Sequence, residues 1–243
     1  MEWTGDGIVL AVRPHGETSA IVDLLTEAQG RHAGLVRGGR SRAARPILQP
    51  GNRVHATWRA RLADHLGNFD IEADRLVAGE LMEDRLALSG LNAACSMACL
   101  ALPEREPHAA VYRAFSVLLD AFANPDIWPA LYVRWEAGLL TDLGYGIDLT
   151  KCAITGERDG LSHVSPKSGR AVTAVAAEPY LDKLLKLPAF LTGPEREVGE
   201  GDVAAGLALT GHFLQRRVLW PHDRDLPEAR QRMMDRLAEA ERL

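Results

Sequence analysis

The sequence predicts an α+β chain, a small barrel of five short strands followed by a mostly helical remainder. Residues 53–62 alternate apolar and polar with a period of two, and Gly, Pro and Asn turn signals punctuate residues 1–79. From Gly79 onward, Ala- and Leu-rich stripes recur at helical spacing. At 243 residues, 47% hydrophobic and 25% charged, the chain is long enough for a core that needs no staples.

The first strand is read over residues 7–13 and ends at the turn Pro14-His15-Gly16-Glu17. The second, residues 19–25, is apolar at nearly every position, as for a strand buried in a barrel wall. After the turn at Glu27–Gly30, a third strand covers residues 31–37, with Arg31, Ala33, Leu35 and Arg37 on one side. Gln49-Pro50-Gly51-Asn52 is the next turn. In the fourth strand Val54, Ala56, Trp58, Ala60 and Leu62 face the core, while Arg53, His55, Thr57, Arg59 and Arg61 face out. The fifth places Phe69, Ile71 and Ala73 inward and Asp70, Glu72 and Asp74 outward. Five such strands without a long helix fit an OB-fold barrel, giving a first domain over residues 1–79.

The second domain, residues 80–243, reads as helices over 80–102, 107–123, 126–143, 179–187, 202–219 and 227–243, with Asp202 as an N-cap. Leu226, Met233 and Leu237 stripe the last helix. An irregular insertion occupies about residues 150–176. Cys95 and Cys99, four apart on a helix, read as core thiols. The odd count of three cysteines and the absence of an apolar leader at the amino terminus point to a cytoplasmic chain with free thiols. No run is long and apolar enough for a membrane span.

Charge is distributed unevenly. No Asp or Glu occurs between Glu27 and Asp64, and that window holds Arg31, Arg37, Arg40, Arg42, Arg45, Arg53, Arg59 and Arg61. The window carries +8, the whole chain −5, and so the rest −13. Positive potential concentrated in this way suits a polyanion such as nucleic acid. No aromatic residue interleaves the arginines and Trp58 falls on the apolar face, so phosphate contact rather than base readout is expected. Arg53, Arg59 and Arg61 read equally well as rungs of a ladder with the carboxylates of the fifth strand. Arg37, Arg40, Arg42 and Arg45 have no acidic neighbours in sequence. A flexible, solvated hairpin loop is the other reading of that segment. Neither a phosphate-binding Gly-x-x-x-x-Gly-Lys loop nor a His-Glu-x-x-His motif occurs, and nothing in the sequence calls for a catalytic set or a cofactor.

Several blocks carry a resemblance: Gly16-Glu17-Thr18-Ser19-Ala20-Ile21-Val22, Gly34-Leu35-Val36-Arg37-Gly38-Gly39-Arg40, Leu48-Gln49-Pro50-Gly51-Asn52 and Trp58-Arg59-Ala60-Arg61-Leu62. Tyr132-Val133-Arg134-Trp135-Glu136, Leu143-Gly144-Tyr145 and Ser165-Pro166-Lys167-Ser168-Gly169 extend it through the second half. In these the chain resembles the RecO family of recombinational repair proteins. The resemblance implies a mediator that binds single- and double-stranded DNA without sequence preference and anneals strands coated by single-stranded-DNA-binding protein. It further implies cooperation with a RecR-like protein in loading RecA, in the cytoplasm and at the nucleoid during repair. The family docks the acidic, apolar carboxy-terminal tail of single-stranded-DNA-binding protein on its helical domain, where Arg134, Trp135 and Leu139 are the candidates. Many relatives carry two zinc-binding Cys-x-x-Cys pairs in the insertion. Here Cys152 remains, Thr155 takes the second position and no cysteine follows, so a zinc-ribbon-shaped element without its metal is expected. An RNA-binding OB-fold protein and a protein-interaction scaffold that touches no DNA are the competing readings.

Overall fold

The computed structural model describes residues 1–193 and 196–243. The chain divides into two compact units, residues 1–123 with 227–233, and residues 124–226 with 234–243. The barrel expected over residues 1–79 lies within the first of these units.

In the first unit, strands β1 (Glu2–His15), β2 (Ser19–Thr26), β3 (Gly30–Val36), β4 (Arg53–Arg59) and β5 (Asn68–Arg75) close a barrel in the order β1-β2-β3-β5-β4. This is the five-stranded Greek-key arrangement of an OB fold. Strand β1 begins five residues earlier than its apolar run predicts, because one long strand closes the barrel. Its first half pairs with β4 (Trp3↔Trp58), its second half with β2 (Val12↔Val22), and a register shift between Val9 and Ala11 marks the bend. Val9, Val22, Leu24, Val54, Ala56, Trp58 and Phe69 form the core, so Trp58 is a packing residue. Gly34 sits where an added Cβ would lie 2.4 Å from the Phe69 ring, so only glycine lets that ring lie on β3.

Three strand expectations change. Strand β3 has no clean alternation, since His32, Ala33, Gly34 and Val36 are all buried. The Arg105 N–H donates to the Arg31 carbonyl, laying the following segment along the outside of β3. Strand β4 ends at Arg59, which leaves Arg61 and Leu62 exposed in the β4–β5 loop. Ala73 is exposed although it pairs with buried Val54, and the register shifts just beyond it, where Arg75 stands opposite Arg53.

Helices α1 (Val77–Glu80), α2 (Arg85–Ala101) and α3 (Ala109–Ala121) belong to the same unit. The predicted helix over 80–102 is two helices: Asp84 accepts from the Leu86 and Ala87 N–H groups and restarts the chain as an N-cap. In α2, Cys95 is fully buried and Cys99 half-buried, both as free thiols.

In the second unit, α4 (Trp128–Asp142) packs on α6 (Asp202–Phe213). The Thr210 hydroxyl donates to the buried Glu136 carboxylate at 2.5 Å. Helix α6 takes Gly201, in the left-handed conformation, as its N-cap; Asp202 instead accepts from the Gly199 N–H and pairs with Lys186. A π-helical turn at Leu214–Leu219 continues α6. The insertion is more regular than expected. Strands β6 (Leu161–Val164), β7 (Ala171–Thr173) and β8 (Leu185–Lys186) form a small sheet, with α5 (Ala174–Ala177) beside it. The predicted helix over 179–187 is a 3-10 turn leading into β8. Helix α7 (Glu228–Glu239) ends the chain and buries Met233 and Leu237.

Candidate nucleic-acid interface

The arginine-rich segment after β3 is not a slack hairpin. Gly38, with φ of 68°, turns the chain, and the Gly39 N–H donates to the Val36 carbonyl. The Ser41 hydroxyl accepts from the Ala44 N–H, and the Arg45 and Leu48 N–H groups donate four residues back. Leu48, 4% exposed, inserts into the barrel core with Ala44 and Ile47 packed beside it. Buried Asn52 locks the far end. Its amide donates to the Pro46 and Ile47 carbonyls, and its side-chain oxygen accepts from the Ala78 N–H. The segment is thus a plug whose apolar side enters the barrel and whose arginines must point outward.

The eight predicted arginines fall into two groups. Arg37, Arg42, Arg45 and Arg61 are exposed and have no carboxylate or other side-chain partner among the described residues. Arg40 is exposed and donates from one nitrogen to the Gly16 and Glu17 carbonyls, which consumes donors but leaves its charge unneutralised. With Arg45 it borders a groove of about 410 Å³ floored by Val12, Pro14, Ala20 and Leu48. The remaining three pair with carboxylates of the protein itself, Arg31 and Arg53 largely buried and Arg59 at the surface, and are corrected here from free cations to ion-paired ones. Arg31 pairs at 2.9 Å with buried Asp23, which also takes Arg13, and donates to the Leu102 carbonyl. Arg53 donates to the Ser116 carbonyl and to Asp120 of the α3 turn. Arg59 pairs with Glu2 at 2.9 Å.

The carboxylate ladder does exist, but on the other flank of β4. Glu2 and Asp6 of β1 stand opposite Arg59 and His55, in register. Hydrogen bonding and charge from Arg59 hold the Glu2 carboxyl below its usual range. At the mouth of the barrel, His32 is packed edge-on against Trp3 and Trp58. Burial, reinforced by the Arg105 charge, drops its pKa to about 4.

In the second unit, Arg134 is half-buried and donates to the Phe190 and Gly193 carbonyls, its guanidinium lying over the Phe190 ring. It borders a groove of about 380 Å³ lined by Ala137, Gly138, Thr141, Ile147 and Leu149. Trp135 and Leu139 face away from this groove, 3% and 1% exposed, and are corrected to core residues. Helical spacing alone does not tell which flank of α4 is open; the flank of Ala137, Gly138 and Thr141 is the one that faces the groove.

The Cys152 knuckle keeps its shape without a metal cage. The Thr155 and Thr173 N–H groups each donate to Cys152 Sγ at 3.4 Å. Burial raises the thiol pKa, but the hydrogen bonds from Thr155 and Thr173 outweigh it and bring it down to about 6. Among the described residues no cluster of three or more His, Cys, Asp or Glu side chains could hold a metal ion. The donors the sequence offers, the Cys152 thiol and His163, fall short of a tetrahedral site.

The family model for the recombination protein O N-terminal domain matches residues 1–73, and that for its C-terminal domain matches residues 82–225. The chain is 56% identical over 243 residues to a DNA repair protein RecO of Phenylobacterium zucineum, covering all of both chains. It is 51% identical to one of Caulobacter vibrioides, again over the full length of both, and 51% identical over 242 residues to one of Rhodospirillum centenum, covering 99% and 96%. With a barrel and a helical domain each matched along almost their whole length, the chain belongs to the RecO family, whose role is DNA repair and recombination.

Proposed function

We propose that this protein is a recombination mediator that grips single- and double-stranded DNA through its phosphates and carries out no catalytic step. The observation that carries the reading is the outward set Arg37, Arg42, Arg45 and Arg61, solvent-facing and unquenched on a firmly plugged barrel. Such a surface screens two repelling backbones, so that complementary strands coated by single-stranded-DNA-binding protein can pair. Loading of RecA with a RecR-like partner, in the cytoplasm and at the nucleoid, completes the role.

The test is a salt titration of binding to a single-stranded oligonucleotide. Four phosphate contacts give a slope of log K against log salt of roughly −3, at about 0.7 per contact. Arg42→Ala/Arg45→Ala shallows it by about 1.4, whereas Arg53→Ala leaves it unchanged. A flat wild-type slope overturns the proposal.

The Arg134 groove suits the acidic, apolar tail of single-stranded-DNA-binding protein, with Arg134 meeting the terminal carboxylate and Phe190, Ile147 and Leu149 the apolar side chains. Arg134→Ala and Gly138→Leu should both weaken capture of a tail peptide; undiminished capture by both removes this site.

A further inference from the structure

The second unit carries a basic, aromatic surface that the arginine plug does not account for. Where α6 passes into its π-helical turn, the Trp220 N–H reaches back five residues to the Gln215 carbonyl. Widened turns of this kind are costly and recur at functional positions. Leu214, Val218 and Leu219 point into the core, while Arg216 and Trp220 emerge on successive turns. Trp220 is 50% exposed, whereas Trp3, Trp58, Trp128 and Trp135 are buried or half-buried. The Arg216 guanidinium carbon lies 5.3 Å from the Trp220 ring centroid, and Arg217 lies 4.5 Å from that of Phe213. Both cations are therefore held against rings before any ligand arrives, which cuts the ordering cost of binding.

The surroundings are basic. The loop before Arg170 packs on the Arg217 guanidinium at Gly169 and on His212 at the Pro166 carbonyl, which brings exposed Lys167 to the same region. Along residues 212–225, Arg216, Arg217 and Arg224 outnumber Asp223 and Asp225. A flat indole backed by a guanidinium and edged with cations is complementary to a π face attached to a phosphate.

We propose that Trp220, backed by Arg216, is a stacking platform for an unpaired base of single-stranded nucleic acid, a second contact separate from the arginine plug. The inference rests on the DNA-binding reading above and adds a preference for single strands, since paired bases offer no free face.

Trp220→Gln and Trp220→Phe are compared with wild type for binding of oligo(dT) and of a duplex of equal length, with melting temperature as the folding control. Loss of one stacked base corresponds to an affinity drop of about 5- to 150-fold. That drop is expected for Trp220→Gln on oligo(dT) alone, with Trp220→Phe close to wild type and duplex binding unchanged. Oligo(dT) should also quench the exposed tryptophan emission of wild type and fail to do so in Trp220→Phe. Equal loss on single strand and duplex, or no loss in Trp220→Gln, overturns the platform. So does quenching by an acidic apolar peptide in place of oligo(dT). If Arg42→Ala/Arg45→Ala abolishes binding while Trp220→Gln changes nothing, the platform fails and the general reading survives. If wild type binds neither nucleic acid, the general reading fails first.

Discussion

Replacing Arg31 by methionine separates an arginine that folds the protein from one that touches DNA. Asp23 is 3% exposed and accepts from Arg31 at 2.9 Å and from Arg13 at 3.1 Å. Arg31 also donates to the Leu102 carbonyl, which ties β3 to the segment after α2. Breaking a buried ion pair from one side costs about 3–5 kcal/mol, because the remaining charge stays desolvated. Asp23 retains Arg13, whose own side chain is 63% exposed and screened by water, so about 2–3 kcal/mol is the appropriate range here. Methionine keeps most of the apolar stem, which limits the cavity contribution. For a chain of this length each kcal/mol moves the melting temperature by about 2–4 °C, giving a fall of roughly 5–10 °C by calorimetry. Below the transition, the salt slope of DNA binding should equal that of wild type. An Arg31→Met protein that melted like wild type yet lost a unit of salt slope would refute the assignment.

His32 makes stability depend on pH. Its folded pKa of about 4 lies below the ordinary 6.5 because burial, then the Arg105 charge, disfavours the proton. Above pH 6.5 neither state is protonated; between 6.5 and 4 the unfolded chain takes up a proton that the folded one refuses. Stability therefore falls by up to about 3 kcal/mol across that window, and His32→Phe should flatten this part of a urea-midpoint profile. Leu48→Ala empties a 4% exposed core position under the plug and should cost about 2–4 kcal/mol in denaturant unfolding, with the salt slope kept at temperatures where the protein is folded. Cys152→Ala removes the acceptor for two backbone N–H groups, and the melting temperature should fall; a chelator should leave wild type unchanged. The Cys152 thiol, with a folded pKa of about 6 against the usual 9, adds stability that grows as pH rises from 6 to 9, and the alanine variant should lack that rise.

Much of the barrel could be read from residue order. The alternation through Val54, Ala56 and Trp58 is a local property of a half-buried strand, and it survives folding unchanged. The arginine plug was legible as charge for the same reason, since an absence of carboxylates is visible in one dimension. Partner choice was not. Arg53 is 67 residues from Asp120, and Arg59 is 57 from Glu2. The sequence offered Asp70 and Glu72 as partners for the β4 arginines. Barrel closure sets β1 on the other side of β4, where Glu2 stands opposite Arg59, while β5 places Asn68 there. The orientation of α4 was hidden likewise: Arg134, Trp135 and Leu139 are close in sequence, yet only α6, packing on one flank, decides which flank is buried.

By itself, then, residue order determined the strand and helix periods, the segregation of positive charge and the missing zinc ligands, all of which are properties of neighbours along the chain. Tertiary structure alone decided which guanidinium groups remain in water. A cation is silenced by whichever carboxylate the closed barrel brings within about 3 Å of it, a distance at which ion pairing and direct hydrogen bonding dominate.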